Sequence, residues 1–131
     1  MENLKIKLAV LWIFEAVNWS AYVVMMFMLP GAIEEMMAGE IGGDPISEGV
    51  LLAFSLFWLI PLTMAVMSLT LKDSANRWAN IIVGVSYLAI GTIISLIGGW
   101  LSIAHLLLDV SLTVALVLIV WNAWKWPKKE V

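Results

Sequence analysis

Residues 49–71 read GVLLAFSLFWLIPLTMAVMSLTL, an apolar run with no acidic or basic side chain from end to end. A helix rises about 1.5 Å per residue and the hydrocarbon core of a bilayer is about 30 Å thick, so a run of this length crosses it. A water-soluble domain can bury one helix this apolar. Here the pattern recurs over residues 8–29, 78–98 and 101–124, each with at most two acidic or basic residues. Across the 131 residues, 63% are hydrophobic and 13% charged, against roughly 45–50% and 25% in soluble domains. The sequence therefore predicts an all-α fold. It is a four-helix transmembrane bundle, a single domain over residues 1–131, with residues 30–48 as a polar loop.

The same numbers exclude disorder and low complexity. The absence of cysteine removes disulfide scaffolds, thiolate catalysis, iron–sulfur clusters and most structural zinc sites. The net charge is −3 and no stretch is basic enough for nucleic-acid binding. The lipid bilayer is the first partner the composition implies.

Orientation follows from where lysine and arginine fall. All seven lie in three places: Lys5 and Lys7 before the first span, Lys72 and Arg77 between the second and third, and Lys125, Lys128 and Lys129 after the fourth. The 30–48 loop has none and carries Glu34, Glu35, Glu40, Asp44 and Glu48 instead. The Gly98–Gly99–Trp100 turn also has none. The positive-inside rule puts both termini in the cytoplasm and loop 30–48 outside the cell membrane. So strong a bias argues against antiparallel dimers, which require dual insertion. Lys5 and Lys7 before an apolar run resemble a signal peptide, but the run is too long, contains Glu15 and precedes three more spans. It reads as an uncleaved helix.

Local signals fit these limits. Pro30–Gly31 stops the first span, Asp44–Pro45 suits an N-cap and first helical position for the second, and Pro127 follows the fourth. Trp78, Trp100, Trp121, Trp124 and Trp126 fall at the expected interfaces. Residues 31–39 set Ile33, Met36 and Met37 on one helical face and Glu34 and Glu35 on another, which reads as a short surface helix or a solvated loop.

Chemistry, if present, must come from polar groups at membrane depth. Glu15 lies roughly 10–12 Å from the inner edge, with Asn18 and Tyr22 on the same face and Trp12 and Trp19 beside it. In the fourth span Ser102, His105, Asp109 and Thr113 share a side. An ionised group at the helix centre costs about 2.5–3.5 kcal/mol on insertion scales, so both faces should turn into the bundle. The third span offers Asn80, Gly84, Tyr87, Gly91, Ser95 and Gly98 on one face. The second adds Ser55, Trp58 and Pro61, the proline freeing a backbone carbonyl. Tyr87 needs a hydrogen-bond partner at its depth.

Each feature also has a plain structural reading. The glycines let a helix approach closely, either within the bundle or from a second copy through Gly84, Gly91 and Gly98. Asn18, Asn80 and the serines serve as interhelical glue. His105 and Asp109, at i and i+4, form a mutually satisfied pair. One histidine and one aspartate would give a metal two ligands, with two more needed from Glu15 or elsewhere, so no metal site is expected. No cofactor is expected either, since no haem-type ligand pair or nucleotide-binding loop is present.

Three stretches carry a family resemblance: Leu11–Trp12–Ile13–Phe14, the run NRWANIIVG at 76–84 and the run WNAWKWP at 121–127. On these the chain resembles a group of small prokaryotic four-helix membrane proteins of unknown function. That resemblance implies the four-span fold and no activity.

Three functions fit the residues. The first is binding or transport of a lipophilic or amphiphilic small molecule in a polar pocket inside the bundle. Glu15, Asn18, Tyr22, Tyr87, His105 and Asp109 would line it, with Trp19 and Trp58 as walls. A cation held against a carboxylate is one form of the guest, and proton coupling would follow from a carboxyl at that depth. The second is a membrane enzyme doing isomerase-like acid–base chemistry with His105, Asp109 and Glu15. The third is a non-catalytic structural subunit in which the polar groups only lock four helices together. Clustering favours the first, and the lack of a nucleophile weighs against the second.

Overall fold

In lipid a backbone has no water to bond, so each apolar run must satisfy its own N–H and C=O groups as a helix. The computed structural model, which describes residues 2–127, follows that rule. Its long helices are α1 (Glu2–Phe27), α3 (Glu48–Thr70), α4 (Asp73–Gly98) and α5 (Ile103–Trp124), with a short α2 (Ala32–Met37) between the first two. All four long helices have the length and hydropathy to cross a membrane. Lys128 and Lys129, two of the basic residues used above to orient the chain, lie outside the described residues.

The connections differ in detail from the sequence reading. Asp44–Pro45 does not cap α3. It pairs antiparallel with Glu40–Ile41 in a two-residue ladder closed by Gly42 and Gly43. Both glycines have positive φ, 59° and 83°, the backbone that a two-residue hairpin turn requires. The N-cap of α3 is Ser47, whose Oγ accepts from the Val50 N–H at 3.3 Å. Ser102 does the same for α5, accepting from His105 N–H at 3.2 Å. α2 buries none of its residues.

Helix α1 packs along both α3 and α5, and α4 packs along α5 but barely approaches α3. Around the bundle the order is α3, α1, α5, α4, and the α3–α4 seam is the loosest. The core gathers toward the end where α1 begins, α3 turns into α4 and α5 finishes, hereafter the terminal end. Leu8, Trp12, Met64, Ala65, Leu116 and Ile119 form it. Trp126, expected at the interface, instead folds back and joins this cluster. The helix stops at Trp124, and the Trp126 N–H bonds the Ala123 carbonyl, which turns the ring inward.

A polar network ties the terminal end together. Trp12 Nε1 donates to Asn80 Oδ1 at 2.6 Å, and Ser68 Oγ donates to the same oxygen at 3.3 Å. Asn80 Nδ2 reaches Asn76 Oδ1 at 2.7 Å, and Asn76 Nδ2 donates to the Ser68 carbonyl at 2.7 Å. That carbonyl belongs to the last turn of α3, where helices leave C=O groups without a partner. Lys5 Nζ takes another, the Leu71 carbonyl at 2.9 Å, and also pairs with Asp73 at 3.1 Å. Trp12, Ser68, Asn76 and Asn80 thus fasten three helices through side chains with no solvent exposure.

Candidate functional site

Toward the opposite end, where α3 and α4 stand apart, the four long helices enclose a cavity of about 280 Å³. Helix α1 contributes Glu15, Trp19, Tyr22 and Met26, which recur on one face at helical spacing. Helix α3 supplies Phe54, Phe57 and Pro61, and α4 supplies Tyr87, Gly91, Ser95 and Gly98. Asp109, Leu112, Thr113 and Leu116 come from α5.

Glu15 sits at the middle of α1, only 2% exposed, and its Oε1 has no hydrogen-bond partner. Above it the wall is aromatic. Trp19 and Tyr22 stack at 5.4 Å between centroids, 13° from parallel, and Trp19 meets Phe57 at 5.1 Å. Phe57 in turn meets Tyr87 edge-on at 5.6 Å.

Trp19 Nε1 also has no partner, whereas Tyr87 and Asp109 are engaged. Tyr87 OH donates to the Phe57 carbonyl at 2.8 Å. This is the carbonyl that Pro61, four residues on and lacking an N–H, leaves without its helical partner. Two sequence features noted separately therefore answer each other. Asp109 Oδ2 accepts from Ser95 Oγ at 2.9 Å and from Trp100 Nε1 at 3.0 Å.

Of the residues expected to form a pocket, Glu15, Trp19, Tyr22, Tyr87 and Asp109 line the cavity. Three stand behind it. Asn18 Nδ2 donates to Ser111 Oγ at 2.8 Å, joining α1 to α5. Trp58 Nε1 donates to Ser20 Oγ at 2.6 Å, joining α3 to α1. His105 is fully buried behind Tyr22, ring centroids 4.7 Å apart. The expected His105–Asp109 pair does not form. His105 Nδ1 lies 2.8 Å from Ser102 Oγ at the helix cap, and its Nε2 is unpartnered. The tight α4–α5 turn brings Ser95 and Trp100 to Asp109 instead.

Phe54 and Phe57 were not singled out from the sequence. They stand at i and i+3, with Pro61 at i+7 of the same face, but the nearest polar residue, Ser55, is exposed and bonds the Leu51 carbonyl of its own helix, so it does not mark the face that turns inward. The glycine stripe divides. A Cβ on Gly84 would meet Val120 Cγ2 at 2.8 Å, so Gly84 is a contact with α5, whereas Gly91 and Gly98 face open space at the cavity.

Among the described residues no group of three His, Asp or Glu side chains converges to hold a metal ion. What the arrangement offers is an apolar, aromatic-walled space with a buried unpartnered acceptor, Glu15 Oε1, and a buried unpartnered donor, Trp19 Nε1–H.

No curated protein and no solved structure matches the chain. A family model described as a family of unknown function (DUF6326) matches residues 1–131, and the chain belongs to that family.

Proposed function

We propose that this protein spans the cell membrane four times, with both termini cytoplasmic and loop 30–48 outside, and binds or carries a small lipophilic or amphiphilic molecule inside the bundle. One observation carries the reading: a cavity near the lower end of the roughly 300–1,000 Å³ of ligand pockets has the unpartnered, buried carboxyl of Glu15 in its lining. Ionisable groups inside a membrane face the bundle and mark ligand paths. A purely structural role suits the terminal end, where the Asn80 network is internally bonded, but gives Glu15 nothing to do. The acid–base alternative finds no support in His105 and Asp109, which hold separate partners.

Native mass spectrometry of the gently extracted protein tests this. The expected result is a one-to-one small-molecule adduct on the wild type that is lost or sharply reduced in Glu15→Gln. Bare protein in both samples would remove the binding reading and leave the structural one.

A further inference from the structure

The charge-bearing side chains of the cavity lining are both acids, Glu15 and Asp109, and the free donor beside them, the Trp19 Nε1–H, is neutral. Ser95 Oγ and Trp100 Nε1 already donate to Asp109, and Tyr87 OH to a backbone carbonyl. The buried Glu15 Oε1 has no donor, and both bonds to Asp109 fall on Oδ2, leaving its Oδ1 without one. Residue pairings across α1 and α5 set the two carboxyls in register: Asn18 meets Ser111 and Tyr22 meets His105. Asp109 therefore stands level with residues 19–20 of α1, roughly 6–8 Å along the axis from Glu15.

Among the described residues no lysine or arginine lines the cavity. Lys5, Lys7, Lys72, Arg77 and Lys125 belong to the terminal end, and His105, the other described basic side chain, stands behind Tyr22 and does not line the cavity. Arg77 lies over the Trp78 ring and Lys125 over Trp121. Charged groups in a membrane interior are ordinarily paired, and among the described residues Glu15 Oε1 has no partner. The cavity it shares is lined by Trp19, Tyr22 and Phe57, aromatic rings of the kind that attract a cation.

We propose that the occupant is a lipophilic organic cation, an amine or quaternary ammonium whose charge lies against Glu15 and whose apolar body fills the aromatic-walled space. The assignment rests on the binding reading above and names its ligand class.

Benzyltrimethylammonium and its uncharged isostere neopentylbenzene differ only in nitrogen for carbon, and both are small enough for the site. Binding is measured by equilibrium dialysis against nanodiscs with and without the full chain, so that partition into lipid is subtracted. The expected result is one-to-one binding of the cation, about tenfold or more tighter than the isostere. In Glu15→Gln that preference disappears while isostere binding stays. Should this variant fail to fold, the two ligands on the wild type decide alone. Equal or tighter binding of neopentylbenzene overturns the cation assignment and leaves the cavity reading standing. Binding of neither above empty discs overturns the assignment, and the native mass spectrum then shows whether the cavity reading falls with it.

Discussion

Gly84 and Gly91 are seven residues apart on one face of α4 and look equivalent in the sequence, yet their surroundings oppose each other. A methyl at Gly84 would press on Val120 Cγ2, the end of a β-branched side chain with little rotamer freedom in a helix. Nothing lies within 4 Å of the same methyl at Gly91. Gly84→Ala should therefore lower stability by about 1–2 kcal/mol, overpacking outweighing the gain in helix propensity. Gly91→Ala should be neutral or stabilising by up to about 1 kcal/mol. Unfolding in mixed detergent–SDS micelles reads both. Equal losses at the two positions would show that the stripe packs along its full length. Asn80 makes the same point for polar residues. Its amide serves Trp12, Ser68 and Asn76 at once, so a residue expected as interhelical glue joins three helices rather than two.

At the scale of the helices, the weak point is the α3–α4 seam. Consecutive helices usually lie side by side, but these are fastened at the terminal end by Asn76 and Ser68 and part toward the cavity. One side-chain bond bridges them beyond that, Tyr87 OH to the Phe57 carbonyl. Tyr87→Phe should cost about 1 kcal/mol by leaving that carbonyl unpaired. Pro61→Ala restores the helical N–H that would take it. In the Pro61→Ala background the Tyr87→Phe loss should fall close to zero, giving a coupling of about 1 kcal/mol in a double-mutant cycle. Additive losses would mean that the Tyr87 hydroxyl acts otherwise than through the carbonyl that Pro61 frees.

For the molecule as a whole, the asymmetry is between a bonded terminal end and an opposite half with a cavity. The proposed orientation turns the cavity half outward. Because the chain has no cysteine, single substitutions report topology without background. Glu35→Cys should react with a membrane-impermeant maleimide added to intact cells. Lys125→Cys should react only after the membrane is opened. The reverse pattern would invert the proposed topology and the direction from which an aqueous ligand reaches Glu15.

Hydrophobic length and the rule that lipid forces internal backbone bonding were enough to read four long helices directly from the sequence. They act within a segment and need no knowledge of its neighbours. The same holds for the inward faces of α1 and α5, because a costly polar group such as Glu15 or Asp109 marks its own face. The partners of those groups were decided only by tertiary structure. His105 went to Ser102 and Asp109 to Ser95 and Trp100, since the angle of the α4–α5 turn outranks i, i+4 spacing. Phe54 and Phe57 became a wall because α3 presents that face, while Ser55 between them is exposed and bonds its own helix. Whether Glu15 finds a partner depends on what three other helices bring to its depth. In this fold they bring aromatic rings and open space.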